Sequence, residues 1–420
     1  MKFIHAADIH LDSPLRGLES YEGAPVDQVR IASREAFENL IELAIDEEVA
    51  FVLLAGDLYD GDWPDYNTGI FFARQMHRLQ QSGITAHLVS GNHDAASQIT
   101  KQLKLPENVI HYDHHEPQTE VIDEARVAIH GQSFSDRSVT RDLAAGYPAP
   151  MSGFLNIGLL HTSLDGRPGH DVYAPCNVDT LRSKGYAYWA LGHVHKREIV
   201  SDDPWIVFPG NLQGRHARET GAKGCALVSF EEGAITKIEH REVDVLRWAV
   251  VNVDVSTAAS ADSTVALVRE ALDREREAAG SRLLAARLVI EGASPAHAAL
   301  AGEPERWMQE YRTQAATLGG AGVWLEKVKI ATRRPVDLAE ELSREDALGD
   351  LLRLVHELET SPLPLDDFAG ELAEFKSKLP AEITSGDDAL DPTDPGVLKA
   401  FLPDVKELLL SRLLAPDVKT

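Results

Sequence analysis

Aspartate, histidine and asparagine recur in this sequence at the ends of apolar runs, a position from which several side chains can bind one metal ion. The first run, Phe3 to Ala7, is followed by Asp8 and His10. A spacing of two residues places both side chains on the same side of an extended chain. Of the 17 histidines, 15 precede Arg241. The pattern predicts that the chemistry belongs to this first part of the chain.

Four later apolar runs end in the same residue types. Carboxylate, imidazole and amide oxygen ligands without thiolate suit Mn²⁺, Fe²⁺ or Zn²⁺. Each motif alone is weak, because Asp-x-His and Gly-Asp-x-x-Asp also occur in ordinary turns. Their fixed order, each after a strand-like run, predicts a metal centre. The four segments are Gly56-Asp57-Leu58-Tyr59-Asp60, Gly91-Asn92-His93-Asp94, His161-Thr162 and Gly192-His193-Val194-His195.

The apolar runs predict strands, and helical spacing appears from Ile31 to Ile45 and from Ile70 to Leu79. Ligand-bearing loops at strand ends are typical of an α/β fold. We therefore expect an α/β sandwich of two sheets, with helices on both sides, over residues 1–245. The predicted strands are Phe3 to Ala7, Phe51 to Ala55, Thr85 to Val89, Val127 to His130, Leu155 to His161, Tyr188 to Gly192, Trp205 to Phe208, Cys225 to Phe230 and Ile235 to Val243.

Two further regions are expected after the sandwich. Residues 246–334 predict a small α/β cap, and residues 335–420 predict a helical C-terminal region. Between the last helices, a stretch rich in Pro and Asp from Ser361 to Pro392 predicts an exposed linker. The cap strands are expected at Val250 to Val255, Leu283 to Ile290 and Val323 to Ile330, its helix at Val265 to Ala279, and the C-terminal helices around Leu348 to Leu358 and Val405 to Leu414.

Composition excludes several classes of protein. No apolar run reaches the roughly 18–20 residues of a membrane span. Cys176 and Cys225 are too few and too distant for a disulfide framework or a thiolate metal site. Met1 leads directly into strand-like sequence, from which we expect a cytoplasmic protein. The net charge of −26 argues against a basic face that holds nucleic acid by itself.

In their order, these blocks resemble the calcineurin-like metallophosphoesterases. The resemblance implies two divalent ions, with Mn²⁺ as the expected metal. One ion would be held by Asp8, His10, Asp57 and His195, and the other by Asp57, Asn92, His161 and His193, with Asp57 bridging. It also implies that His93 is catalytic, contacting the phosphate and the leaving oxygen, and that Asp60 orients His93. Asp94 is expected to be structural.

Within that superfamily, the chain resembles the SbcD-type DNA repair exonucleases, in the YhaO-like branch. The resemblance rests on the five blocks, on Phe208-Pro209-Gly210-Asn211 and on the stretch from Arg215 to Gly224, and it covers about the first 230 residues. It implies a DNA exonuclease and endonuclease in double-strand-break repair. It also implies a homodimer with a coiled-coil ATPase of the SbcC type. The C-terminal amphipathic helices would either dock on this ATPase or pack as core helices on their own chain.

Two other functions remain open at this stage. The same metal centre would serve a phosphodiesterase for a small molecule such as a cyclic nucleotide. Alternatively, the chain would be a scaffold that clamps the ATPase, with the metal centre retained for structure. The complete ligand set and His93 argue against the scaffold.

Several other polar residues can be explained without a role in the chemistry. Arg215, His216 and Arg218 form a short basic cluster that could contact phosphate, although such a loop is more often merely solvated. The segment containing His111, His114 and His115 is expected to be a polar loop without a preceding strand. His5 and His130 are expected to be packed or hydrogen-bonded and not to be metal ligands.

Overall fold

The structure is a computed structural model that describes residues 1–13, 24–60, 67–96, 105–166, 173–320, 322–335, 343, 345–360, 372–379 and 391–413. The strands are β1 (Lys2–Ala6), β2 (Phe51–Ala55), β3 (Thr85–Val89), β4 (Val109–His111), β5 (Gln118–Ile122), β6 (Val127–Gly131), β7 (Leu155–His161), β8 (Tyr188–Gly192), β9 (Glu198–Asp202), β10 (Trp205–Phe208), β11 (Gly224–Glu231), β12 (Ala234–Glu242), β13 (Leu246–Asp254), β14 (Leu283–Ala293) and β15 (Val323–Arg333). The helices are α1 (Val26–Asp46), α2 (Asn67–Gln81), α3 (Asn92–Ala96), α4 (Val178–Ser183), α5 (Ala261–Ala279), α6 (His297–Gly302), α7 (Pro304–Thr317), α8 (Ala347–Thr360) and α9 (Pro395–Leu413).

The first sheet has the strand order β12–β11–β1–β2–β3–β4. Strands β1 to β4 are parallel, whereas β11 pairs antiparallel with β1 and β12 pairs antiparallel with β11. Every residue of β2 is buried, as expected for a parallel strand that is covered on both faces. Because parallel strands end at the same edge of a sheet, the residues that follow β1, β2 and β3 come together there.

The second sheet has the order β5–β6–β7–β8–β10–β9. Strands β6, β7, β8 and β10 are parallel, and β5 and β9 pair antiparallel at the two edges. Strands β7 and β8 are buried throughout. His161 is the last residue of β7, and His193 directly follows β8. This sheet therefore presents a second set of strand ends.

The two six-stranded sheets pack face to face through large apolar side chains. Phe3 stacks on Phe51 at a centroid distance of 5.0 Å and meets Tyr188 of the second sheet edge-on at 5.3 Å. On the outer faces, Ile4 packs in the cluster formed with α1 and α2, and Trp189 packs with α4. Burying such side chains stabilises the fold by about 1.5–3 kcal/mol each. The layers are thus helix, sheet, sheet and helix.

The third sheet has the order β13–β14–β15. Trp248 of β13 and Trp324 of β15 meet edge-on at a centroid distance of 5.8 Å, and both pack in one cluster with Val29 and Ala32 of α1. The indole N–H of Trp248 donates to the carbonyl of Gly214 at 3.0 Å. Strand β13 therefore fixes the loop between β10 and β11.

The chain divides into two compact units. The first comprises Met1–Val251, Arg269–Leu288 and Glu310–Lys329, and it contains both six-stranded sheets. The second comprises Asn252–Val268, Val289–Gln309 and Ile330–Thr420. Within the second unit, the buried hydroxyl of Ser294 donates to the carbonyl of Ala258 at 3.1 Å.

The expected fold class is confirmed, since two mixed sheets are sandwiched between helices and a small helical region lies at the C-terminal end. Three strands at or near sheet edges, β4, β5 and β9, were not anticipated. The expectation that His111 lies in a loop without a preceding strand is wrong, because His111 is the last residue of β4. A three-residue, half-exposed edge strand lacks the apolar run by which the other strands were identified.

The C-terminal expectations are met only where the structure describes the chain. Helix α8 coincides with the first predicted helix, and α9 contains the second but begins earlier, at Pro395. Residues 372–376, within the expected linker, are helical. Most of the expected linker, including Ser361-Pro362, Pro364 and Asp387-Asp388, lies outside the described residues, as does Leu414. Among the described helices, none has the length and apolar character that crossing a membrane requires.

A buried, uncharged histidine should make the fold sensitive to acid. His87 of β3 is 2% exposed and hydrogen-bonds the hydroxyl of Tyr112 at 3.0 Å. Burial lowers its pKa to about 4 from 6.5. Between these pH values the unfolded chain binds a proton at His87 and the native chain does not. The contribution of His87 to the free energy of unfolding is therefore fully present above pH 6.5 and is lost as the pH falls toward 4. This loss amounts to about 3 kcal/mol.

We expect His87→Gln to flatten the pH dependence of the free energy of unfolding between pH 6.5 and 4, relative to the unsubstituted chain. Urea unfolding in EDTA measures it, because the chelator removes the contribution of bound metal. His77→Gln on the exposed face of α2 is the matched control and should leave the slope unchanged. Equal slopes for the His87 variant and the unsubstituted chain would contradict the assignment.

Candidate metal centre

The residues predicted to bind metal lie on sharply turned backbone at the strand ends. Four of them have positive φ angles, 50° at Asp8, 47° at His10, 49° at Asp57 and 107° at His193. Left-handed conformations of residues other than glycine cost about 1–3 kcal/mol each and cluster at functional sites. The surrounding sandwich must therefore hold these four side chains in place.

Glycine is required where these turns meet. A Cβ atom on Gly192 would collide with the carbonyl of Ala55, and one on Gly91 would collide with the carboxylate of Asp57. The glycine of the Gly-His block thus lets β8 of the second sheet approach β2 of the first, and the glycine of the Gly-Asn block leaves room for the Asp57 carboxylate. This contact joins the strand ends of the two sheets into one site.

One group of ligand atoms contains Asp8, His10 and His195, which lie within 4.8 Å of one another. The Nε2 atoms of His10 and His195 are 3.3 Å apart. The Nδ1–H of His195 donates to Glu219 at 2.7 Å, which leaves the lone pair of His195 Nε2 directed at His10. The Nδ1 of His10 is buried and has no hydrogen-bond partner among the described residues. Two imidazoles therefore offer more acceptors than the site has donors.

A second group contains Asp8, Asp57 and His161. The Nδ1–H of His161 donates to the carbonyl of Ala55 at 2.9 Å, so its Nε2 carries a lone pair. That atom faces Asn92 Oδ1 at 3.1 Å and Asp57 Oδ2 at 3.5 Å. Three acceptor atoms therefore converge in a buried place.

These two groups fit divalent cations. Burial and the charge of Asp57 raise the pKa of Asp8 well above its usual range, and burial raises the pKa of Asp57. Uncompensated buried carboxylates and facing lone pairs are unfavourable, whereas a cation between them satisfies all of them at once. The donors are nitrogen and oxygen only, because Cys176 and Cys225 lie in separate hydrophobic clusters.

The structure places His193 differently from the other expected ligands. Its ring lies 5.3 Å from the ring of His161 between centroids, and its backbone N–H donates to both oxygens of Asp8 at 3.0 Å. Among the described residues, it belongs to none of the groups within 4.8 Å. The carboxylate shared by the two groups is Asp8, and the bridging role of Asp57 remains a prediction.

His93 and Asp60 form a pair beside these groups. The Nδ1–H of His93 donates to Asp60 Oδ1 at 2.8 Å. Burial lowers the pKa of His93, but the hydrogen bond to Asp60 and the charge of Asp57 outweigh burial, and the pKa lies above its ordinary value. Burial raises the pKa of Asp60, but hydrogen bonds from His93 and Ser13 lower it to about 2. Asp60 therefore stays charged and fixes the orientation of the imidazole.

Asp94 holds the loops of the site together. Its carboxylate accepts hydrogen bonds from the backbone N–H groups of Leu58, Tyr59 and Gly91 at 2.9–3.1 Å. Burial and the charge of Asp57 raise its pKa to about 7. This geometry agrees with the structural role expected for Asp94.

The remaining histidines named in the sequence lie elsewhere. His5 hydrogen-bonds Tyr188 and the carbonyl of Leu191, and His130 hydrogen-bonds Thr119 and Asn156. His114 and His115 lie with Asp113 in a separate exposed group.

Sequence reasoning missed Glu219 and undervalued Arg215. Glu219 is 7% exposed and accepts from His195, from Asn211 Nδ2 at 3.0 Å and from the backbone of Arg215 at 2.7 Å. The side chain of Arg215 is 17% exposed and lies within the site, so Arg215 is not merely solvated. No local pattern marks either residue, because both lie in a loop whose conformation is set by tertiary contacts. Of their neighbours, His216 and Arg218 are exposed.

Glu219 should tighten metal binding through His195. A carboxylate that accepts from the outer nitrogen of a ligating imidazole fixes its tautomer, and losing it typically weakens metal binding by about 10–100-fold. We expect a loss of this size for Glu219→Gln in Mn²⁺ titrations against a competing chelator. Glu124→Gln in the exposed turn before β6 is the control.

Unfolding of the Glu219 variant in EDTA separates the two possible causes. A variant that keeps its metal-free stability but loses affinity acts through His195. Unchanged affinity would contradict this role for Glu219.

Two family models match the chain, a calcineurin-like phosphoesterase over residues 1–197 and the middle domain of metallophosphoesterase YhaO over residues 248–333. An uncharacterized metallophosphoesterase YhaO from Bacillus subtilis (strain 168) is 35% identical over 299 residues, which cover 70% of this chain and 72% of the relative.

Two more distant relatives are each named DNA double-strand break repair protein Mre11. The protein from Methanopyrus kandleri is 26% identical over 278 residues, covering 58% of this chain and 57% of the relative. The protein from Sulfurisphaera tokodaii is 25% identical over 272 residues, covering 61% of this chain and 66% of the relative. Together with the converging ligands, the similarity to YhaO shows that this chain belongs to the calcineurin-like metallophosphoesterases, in the YhaO-like family of metal-dependent phosphoester hydrolases.

Proposed function

We propose that this protein is a DNA nuclease, with exonuclease and endonuclease activity, that hydrolyses phosphodiester bonds at a two-metal centre in double-strand-break repair. The observation that carries the proposal is the convergence of buried acceptor atoms beside the His93–Asp60 pair. The similarity to two proteins named for DNA double-strand break repair supports DNA as the substrate.

Seven side chains would hold the ions. We assign Asp8, His10, Asp57 and His195 to one ion, and Asp57, Asn92, His161 and His193 to the other, with Mn²⁺ as the metal. Bound divalent ions would polarise the phosphoryl group and lower the pKa of water. The chain's own part is to orient the ligands, which the hydrogen bonds from His161 to Ala55 and from His195 to Glu219 accomplish.

His93 is assigned to the leaving oxygen. Its Nδ1 is engaged by Asp60, and its Nε2 makes no hydrogen bond to the described residues, which leaves that nitrogen for the substrate. Asp60 accepts the Nδ1–H of His93 and stabilises a positive charge on the imidazole. His93 can therefore donate a proton from Nε2 as the phosphorus–oxygen bond breaks.

The rest of the chain would organise DNA and a partner. We assign residues 1–245 to the nuclease domain, 246–334 to a cap and 335–420 to docking on a coiled-coil ATPase of the SbcC type. The match of a middle-domain model to residues 248–333 supports the cap. We further propose a homodimer in the cytoplasm. With a net charge of −26, the protein would draw positive charge for DNA from its metal ions and its partner.

A strand-labelled linear duplex tests the nuclease. We expect loss of nucleotides with Mn²⁺, none with EDTA, and a rate about 10²–10⁴-fold lower for His93→Ala, because general acid catalysis contributes about that much. The label also gives the direction of digestion. His77→Ala on α2 is the control and should cleave like the unsubstituted protein.

Absence of DNA cleavage in every metal, alone and with the ATPase partner, would overturn the nuclease proposal. Hydrolysis of a cyclic nucleotide under the same conditions would instead identify a small-molecule phosphodiesterase.

The proton role of His93 predicts a dependence on the leaving group. A nitrophenolate departs without a proton, whereas the alkoxide of a DNA strand needs one. We expect His93→Ala and Asp60→Asn to slow DNA cleavage at least about tenfold more than hydrolysis of bis(p-nitrophenyl) phosphate. Equal losses on both substrates would show that the pair does not deliver the proton.

A further inference from the structure

The loop that carries Arg215 is held in place by hydrogen bonds to the backbone and side chains of β13 and to Glu219. This loop follows β10, and the backbone N–H of Arg215 donates to Glu219 Oε2 at 2.7 Å. Gln213 Nε2 donates to the carbonyl of Leu246 at 2.7 Å, and Trp248 donates to Gly214. The backbone of Arg215 and of the two residues before it is therefore fixed in position.

The guanidinium lies between two carboxylate–histidine pairs. Its NH1 is 3.5 Å from Asp60, the partner of His93, and its NH2 is 3.4 Å from Glu219, the partner of His195. The positive charge therefore lies between the partners of His93 and His195.

The donors of Arg215 are poorly used. Its Nε is buried without a hydrogen-bond partner among the described residues, and its two ion pairs are long. Elsewhere in the chain arginine forms close bidentate pairs, from Arg34 to Asp12 at 2.7 and 2.6 Å and from Arg287 to Glu326 at 3.0 and 2.8 Å. A largely buried guanidinium with an unpaired Nε donor is costly unless a further acceptor is bound.

We propose that Arg215 binds a non-bridging oxygen of the phosphate that is held at the metal centre. The planar guanidinium matches a phosphate in geometry and charge, and Asp60 and Glu219 orient it while its Nε donor stays unpaired among the described residues. The inference rests on the proposed phosphodiester chemistry but does not require DNA as the substrate. Arg215 then adds fixed positive charge where the transferred group becomes more negative.

Turnover of bis(p-nitrophenyl) phosphate with saturating Mn²⁺ is the first test. We expect Arg215→Ala to lower kcat by about 10²–10³-fold, the size of effect seen when one stabilising donor is removed. Arg215→Lys should recover only part of this, and added guanidinium chloride should restore activity to the alanine variant alone. Arg182→Ala, on the exposed face of α4, is the control and should keep its activity.

Binding of orthophosphate to the Mn²⁺-loaded protein, measured by calorimetry, is a test independent of turnover. We expect Arg215→Ala to weaken it at least about tenfold, with Mn²⁺ affinity and thermal stability unchanged. Two results would overturn the proposal: unchanged phosphate affinity, or activity that excess Mn²⁺ restores and guanidinium does not. Either would show that Arg215 only positions Asp60 and Glu219.

The outcome for Arg215 is separable from that for the nuclease. A protein that hydrolyses the nitrophenyl diester but spares DNA would overturn the nuclease proposal and leave the assignment of Arg215 in force. If the Arg215→Ala variant cleaves DNA as fast as the unsubstituted protein, the nuclease proposal stands and the assignment of Arg215 is overturned.

Discussion

The structure depends on one electrostatic constraint, which is that the buried acceptor atoms of the site outnumber the donors that can satisfy them. His161 Nε2 faces Asn92 and Asp57, and His195 Nε2 faces His10. Hydrogen bonds to Ala55 and Glu219 prevent either imidazole from turning its N–H inward without losing a partner. Such an arrangement is unfavourable by itself, and a divalent cation makes it favourable. Metal binding at this site would therefore be linked to folding.

The sandwich supplies the rigidity that this constraint demands. The assigned ligands come from strand ends of two different sheets, so their separation is set by the packing of Phe3 and Phe51 against Tyr188. The left-handed backbone at Asp8 and Asp57 persists because neighbouring turns and glycines fit closely around it. The inter-sheet core, although it contributes no ligand, thus determines whether the acceptors converge.

Much of the fold and the clustered ligands were predictable because both follow from local rules. A buried parallel strand appears in the sequence as an apolar run, and metal-binding side chains are common in the loop at its carboxyl end. These two rules predicted that Asp8, Asp57, Asn92 and His161 would lie together. Edge strands such as β4 and β5 are short and exposed and give no such signal. Helix α7 was overlooked although Trp307, Tyr311 and Ala315 are buried at intervals of four. Glu219 and Arg215 escaped because tertiary contacts from Gln213 and Trp248 fix their loop.

For an acidic protein that acts on a polyanion, the position of its positive charges matters more than its net charge. At physiological ionic strength the Debye length is about 8 Å, so exposed carboxylates farther away are largely screened. Buried charges are screened much less, and Arg215 with the assigned ions would therefore dominate the field at the bound phosphate. Asp60 and Glu219 share this environment, yet each is already engaged by a histidine, His93 or His195. The local field at the site can thus favour an anion although the chain as a whole repels one.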